Sequence, residues 1–227
     1  MVFWLANLVG LAVAYLLGSA PTAYLAGKAF KGIDIREHGS GSVGATNALR
    51  ILGKGPGLVV LLVDVLKGVA AIVFVRWLLA WLNALPTVEV AAGLDLQTWA
   101  PWAVCLAGLA AVAGHSRSIW LGFRGGKSAA TGLGVLLAMS WPVGLGAGAA
   151  FVIVLAISRI ASLSSMLAAL VAVALVCSLE QPLAYRLLVI AGAAYVIARH
   201  RANIQRLLAG TEPRVGQSGG DSKAQSG

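Results

Sequence analysis

Four polar stretches of this chain hold the residue types that reactions of small anions need. The first, Gly39-Ser-Gly-Ser-Val-Gly-Ala-Thr-Asn-Ala-Leu-Arg50, places Gly39, Gly41, Gly44, Ser40, Ser42, Thr46 and Asn47 within nine residues. Backbone amides and hydroxyls so concentrated, with a guanidinium beside them, suit an oxyanion or a phosphate. A membrane-surface turn leading into a capped helix would have the same composition. The second, Gly122-Phe-Arg-Gly-Gly-Lys-Ser-Ala-Ala-Thr131, sets Gly125 and Gly126 between Arg124 and Lys127. At a helix amino terminus this makes a phosphate cradle, although a plain positive-inside anchor carries the same charges. It is not a nucleotide P-loop, because Leu121 stands where that pattern requires glycine and no βαβ unit surrounds it.

The third stretch, Ser158-Arg-Ile-Ala-Ser-Leu-Ser-Ser165, offers the hydroxyl of Ser162 as a donor, or else a small-residue helix interface. In the fourth, Arg199-His-Arg-Ala-Asn-Ile-Gln-Arg-Leu-Leu-Ala-Gly-Thr-Glu212, His200 and Asn203 are three apart and share a helical face. A histidine titrating near ~6.5 can serve as a general base, while a solvated interfacial histidine is the plainer alternative.

These polar stretches interrupt an apolar chain. Of 227 residues, 59% are hydrophobic and only 11% charged, far from the soluble balance of about 25% charged. One bilayer crossing takes roughly 20 apolar residues, so the length suffices for seven crossings with short loops and no separate soluble domain. The net charge of +9 points to anionic lipid or an anionic substrate. No long basic run favours nucleic acid. Cys105 and Cys177 both lie in apolar runs and only three histidines occur, which supports neither a disulfide framework nor a zinc cluster.

The apolar runs predict helices over Val2 to about Gly27, Gly55 to about Trp81, Trp99 to Gly114, Ala161 to Leu179 and Leu183 to Ala198. A mildly acidic loop with Glu89 and Asp95 separates the second and third. The 31 uncharged residues from Ser128 to Ser158 would measure about 46 Å as one helix, too long for a core of ~30 Å, so a hairpin at Trp141-Pro142 is expected. With that hairpin, 14 of the 17 Lys and Arg fall on one side. Without it, Arg159 and the basic tail move across. Charge asymmetry therefore predicts an all-α integral membrane protein of seven transmembrane helices, N-terminus outside and C-terminus cytoplasmic. Residues 1–212 form a single membrane domain, and 213–227, rich in Gly and Ser, form a disordered polar tail. Asp64 and Lys67, three apart inside the second run, read as an intrahelical pair tying that helix to the loop before it, or as an ion path in a transporter.

The ordered segments GSGSVGATNALR, GFRGGKSAATGLG and RHRANIQRLLAGTE resemble the bacterial acyl-phosphate:glycerol-3-phosphate acyltransferase family of the PlsY type. The resemblance runs from about Leu17 to Glu212. It implies transfer of a fatty acyl group from acyl phosphate to the sn-1 hydroxyl of glycerol 3-phosphate, giving lysophosphatidic acid and phosphate, in a seven-helix fold of the bacterial inner membrane with a cytoplasmic active site. By the same resemblance Ser40, Arg50, Lys127, His200 and Asn203 carry activity. Gly39, Gly41, Thr46, Asn47, Gly125, Gly126, Ser162 and Glu212 bind substrate. Three positions depart from the family pattern: Ser42 replaces an asparagine, Ser128 a glycine and Ala202 a glutamate. Ser42 still donates and accepts, so altered affinity with retained chemistry is expected.

The partners so implied are the two substrates and membrane lipid, with no obligatory protein partner, no nucleic acid, no metal and no cofactor. Acyl phosphate is a mixed anhydride with a good leaving group, so the protein's task is to hold two phosphates, orient a hydroxyl and neutralise charge. The expected arrangement has Lys127 and the Gly125-Gly126 amides on one phosphate, and Arg50, Ser40 and the Thr46-Asn47 turn on the other. The His-x-x-x-x-Asp signature of thioester-using acyltransferases is absent, since Val43, Trp120 and Gln205 stand at the aspartate position after the three histidines. A small transporter or flippase for a phosphorylated metabolite or lipid is the alternative from another class, although the two halves of the chain share no repeated motif.

Overall fold

The computed structural model describes residues 2–84 and 96–216. Ten α-helices account for most of them, and the only β-pairing among the described residues is an isolated bridge between Ser118 and Arg124. The loop holding Glu89 and Asp95, and residues 217–227 of the tail, lie outside the described residues.

The first apolar run is two helices, α1 (Val2–Ser19) and α2 (Thr22–Lys31), where one was expected. Pro21 has no N–H with which to continue the hydrogen-bond ladder, and the interruption frees the Ala20 carbonyl. After a loop comes the short α3 (Ala45–Leu52), then α4 (Lys54–Asn83), the longest helix, and α5 (Leu96–Ser116). The expected hairpin is present. Its arms are α6 (Ala129–Met139) and α7 (Trp141–Ser158), broken at Ser140, with Pro142 in the first turn of α7, where its missing N–H leaves no bond unmade. Close approaches of Gly144 to Leu137 and of Gly148 to Leu133 show that the arms run antiparallel. Then follow α8 (Ala161–Ser178), α9 (Leu183–Arg199) and α10 (Arg201–Leu208), the last two bent by 58° at His200.

Four helical segments are long and apolar enough to cross a bilayer: Phe3–Lys31, Lys54–Asn83, Trp141–Ser158 and Ala161–Ser178. The bent pair α9–α10 makes a fifth if it counts as one span. The chain is thus a multi-pass helical membrane protein. Helix α6, with 11 residues, is only about 16 Å long, half of a bilayer core. Its carboxyl end is capped from α4: Arg76 donates to the carbonyls of Ala138 (2.6 Å) and Met139 (3.1 Å), satisfying acceptors that a helix end leaves open.

Helix α6 sits so deep because α4 and α6 touch backbone to backbone. A Cβ on Gly134 would lie 1.9 Å from the Val65 carbonyl oxygen, and one on Gly68 would lie 2.2 Å from that of Thr131. Only glycine permits this approach. Around it α1 packs on α5 and α4, α7 on α8 and α6, and α8 on α9. A second, smaller apolar cluster (Ala23, Ile35, Val43, Ala48, Leu52, Val60) fastens the first polar loop to α2 and α4.

Candidate active site

The four polar stretches meet at one cavity of about 1240 Å³. Its polar end is lined by Gly39, Ser40, Ser42, Thr46, Asn47 and Arg50 from the first stretch and by Lys127 and Ser128 from the second. Ser162 and Ser165 come from the third, and His200, Asn203, Arg206 and Glu212 from the fourth. Away from these residues the wall is apolar, with Leu133, Leu136, Phe151, Ala169, Leu188 and Val196 among its members.

Asn47 shapes the first loop. Its side chain is 2% exposed; Nδ2 donates to the carbonyls of Ile35 (3.2 Å), His38 (3.0 Å) and Ser42 (3.0 Å), and Oδ1 accepts from the Ser40 N–H (3.0 Å). With both ends of its amide engaged, Asn47 organises the loop and leaves Ser40 exposed at the rim. Thr46 and Arg50, four apart on α3, are exposed and line the cavity together, and the Arg50 guanidinium has no ion pair among the described residues.

Opposite them a chain of polar bonds links the other three stretches. Lys127 Nζ donates to Asn203 Oδ1 (2.5 Å), and Asn203 Nδ2 donates to Glu212 Oε1 (2.6 Å). The same carboxylate accepts from Ser162 Oγ (2.7 Å) and from Arg206 Nε (2.7 Å). Burial alone would raise the Glu212 pKa, but the bonds from Ser162, Asn203 and Arg206 outweigh it and hold the group below its ordinary value. Beyond Glu212, Val215 N–H bonds the Arg159 carbonyl at 2.7 Å, tying the segment after α10 to the α7–α8 turn.

The His200 ring is 4% exposed, with Nδ1 2.7 Å from the Val196 carbonyl. A carbonyl only accepts, so neutral His200 carries its proton on Nδ1 and has its lone pair on Nε2.

Two expectations about the glycines are corrected. Gly125 and Gly126 do not line the cavity. The Gly126 N–H is spent on the His115 carbonyl (3.1 Å), and a Cβ on Gly126 would fall 2.2 Å from His115 Nε2. These glycines let the turn lie against the end of α5, and the amides that face the cavity belong to the start of α6, at Ser128, Ala129 and Ala130. Gly41 also lies off the cavity wall; its N–H closes a turn on the His38 carbonyl (3.1 Å).

The departures from the family pattern now have physical meaning. Ser128 has φ 62°, the left-handed backbone that glycine adopts freely. Its hydroxyl bonds Ser116 Oγ (2.5 Å) and the Val112 carbonyl (3.0 Å), which offsets the strain. Ser128→Gly exchanges strain of about 1 kcal/mol for hydrogen bonds of similar worth and is expected to change stability by less than about 1 kcal/mol, whereas Ser128→Ala keeps the strain and loses the bonds, costing about 1–3 kcal/mol. Thermal unfolding of the purified variants in detergent measures both. Ala202 is exposed and does not line the cavity, and Ser42 lines it while its carbonyl serves Asn47.

Burial lowers the pKa of Lys127, and the positive charges of Arg206, Arg199 and Arg50 push the same way, against Glu212. The ammonium therefore loses its proton at a lower pH than a free lysine, ordinarily near 10.5. Since an anion needs the protonated form, kcat/KM for an anionic substrate is expected to fall on an alkaline limb below that value, and Lys127→Arg to move the limb upward. A pH profile of kcat/KM reads both.

Three lining residues were not anticipated. Arg206 is signalled by its i+3 spacing from Asn203. Arg117 and His115 close α5 and have no motif of their own. Asp64 is buried beside Lys67, as the intrahelical reading expects, with Nζ to Oδ1 2.8 Å. The pair fastens α4 to the α1–α2 break and to His115, and not to the loop before α4 as expected.

Residues 8–210 match the family model described as glycerol-3-phosphate acyltransferase. The chain belongs to that family. A glycerol-3-phosphate acyltransferase of Rhizobium johnstonii is 71% identical over 96% of this chain and 99% of its own length. One from a Nostoc species is 57% identical over 96% of each. Among solved structures, the crystal structure of PlsY, an integral membrane glycerol 3-phosphate acyltransferase in its glycerol 3-phosphate form, superposes with a TM-score of 0.75. It is 34% identical, covering 92% of this chain and 96% of that one. A lysophosphatidic acid form of the same protein gives 0.75 and 35%. In this glycerol-3-phosphate acyltransferase family member, the three motifs read from sequence all reach the one cavity.

Proposed function

We propose that this chain transfers a fatty acyl group from acyl phosphate to the sn-1 hydroxyl of glycerol 3-phosphate, releasing phosphate and lysophosphatidic acid. The observation that carries the reading is the single cavity, cationic and hydroxyl-rich at one end and apolar beyond it, with room for two phosphates and an alkyl chain. Arg50, Ser40 and Thr46 hold one phosphate, and Lys127 with the first amides of α6 holds the other. The acyl chain lies along the apolar wall. Seven crossings, the amino terminus outside and the cavity mouth at the cytoplasmic face of the bacterial inner membrane are supported by the clustering of basic residues on one side. In this reading α6 is a half-length limb of the hairpin.

The chemistry needs little beyond placement. The glycerol hydroxyl attacks the acyl carbon, the bond from that carbon to the phosphate oxygen breaks, and the hydroxyl proton passes to an oxygen of the departing phosphate. Lys127 and Arg50 offset the charge that gathers on the leaving group. No acyl-enzyme forms, because no base lies within hydrogen-bonding reach of Ser40. The test is purified protein with acyl phosphate and glycerol 3-phosphate alone, read by released phosphate and lysophosphatidic acid. Absence of both products refutes the reading and favours transport.

The His200 tautomer makes Nε2 the rival proton acceptor. His200→Gln keeps a polar group of similar reach and is expected to raise KM several-fold with kcat within about tenfold of wild type; a base would lose about 10²–10⁴ in kcat. Steady-state kinetics separate the two.

A further inference from the structure

Two acids, Asp64 and Glu212, line a cavity that must admit anions. Glu212 is offset by Arg206. Asp64 is 1% exposed: Oδ1 accepts from Thr22 Oγ1 (2.5 Å) and pairs with Lys67, while Oδ2 is buried without a hydrogen-bond partner. Lys67 is 6% exposed, stands behind Asp64 off the cavity wall, and donates also to the Ala20 carbonyl (3.2 Å) that the Pro21 break leaves free.

Stability does not explain the pair, since buried ion pairs rarely outdo apolar packing of the same volume. Geometry gives each member a task. Asp64 reaches across to α5, where His115 Nδ1 stands 3.7 Å from Oδ1, and the His115 carbonyl anchors the Gly126 amide next to Lys127. The Arg199 guanidinium holds the Gly126 carbonyl from the far side (3.2 Å). A carboxylate doing this work beside two phosphates would repel both. We infer that Lys67 sets substrate affinity from outside the cavity: it cancels the charge of Asp64, so that the acid braces the Lys127 turn without opposing the anions bound there. Lys67 is thus a positioning and charge-balancing residue, and touches no reacting atom.

The inference rests on the proposed acyl transfer for its substrate, so its test has a second readout. With the full-length purified chain, Lys67→Met leaves Asp64 unbalanced and is expected to raise KM for glycerol 3-phosphate about tenfold or more, with kcat changed less. Asp64→Asn combined with Lys67→Met removes both charges and is expected to return KM to within about threefold of wild type. Asp64→Asn alone leaves KM no higher than wild type. Binding of inorganic phosphate, measured by calorimetry on the same four proteins, follows the same order. If Lys67→Met keeps KM and phosphate affinity within threefold of wild type, or if the double variant stays as weak as the single, the inference fails. Should neither single variant accumulate folded, the double variant decides alone, because wild-type phosphate affinity is required of it. Wild-type protein that binds phosphate and makes no lysophosphatidic acid would refute the acyl transfer and leave the charge-balance inference to the binding series.

Discussion

Lys127→Ala is expected to abolish turnover, with a loss of at least about 10³-fold, while the protein stays folded. Lys127 is the one cation that bonds directly into the Asn203–Glu212–Ser162 chain at the polar end of the cavity. An ammonium beside a leaving phosphate acts on charge that grows as the bond breaks, and such groups are worth about 3–4 kcal/mol each in a site shielded from water. Its removal also leaves Asn203 Oδ1 without its donor, yet Asn203 keeps the bond to Glu212, so the fold should survive. Phosphate release in detergent, with size-exclusion elution as the folding control, measures the loss. A variant retaining a tenth of wild-type rate would move the phosphate site elsewhere.

Asn47→Ala is expected to damage both stability and activity. One buried amide serves three carbonyls and one N–H of the first loop, and leaving such groups unpaired costs about 1–3 kcal/mol each where water cannot reach them. A melting midpoint lowered by several degrees and turnover reduced about 100-fold are the expected results, because Ser40 loses the bond that fixes its backbone. Asn47→Asp keeps the acceptor for Ser40 and loses the donors, so it should fall between the two. Equal damage from both variants would mean that the Ser40 bond is unimportant.

How much of this was readable in the residues depends on whether a feature is local. The hairpin at Ser140 was legible because an uncharged run too long for one crossing contains a proline that tolerates only a helix start. Helices α8 and α9 were legible because charge or proline bounds them. The break at Ala20-Pro21 was not, since apolar residues continue straight through it. At the site, Lys127, His200 and Asn203 were found from residue type and spacing. The role given to Gly125 and Gly126 was wrong: a glycine pair beside a lysine has the same pattern whether its amides face a ligand or a neighbouring helix end. Nothing in the sequence brings His115 to that turn, because the contact spans different elements. Asp64 and Lys67 were seen as a pair, but which groups they serve is a fact of packing.

The depth of α6 carries its own consequence. Gly68 and Gly134 set the start of this helix, and Lys127 with it, level with the middle of α4, some ten residues and about 15 Å along the axis from Lys54. A donor whose phosphate reaches Lys127 there keeps its hydrocarbon in the leaflet from arrival to departure. The reactive anhydride is then met by a dissolved polyol that descends to it, which favours glycerol over bulk water as the attacking nucleophile.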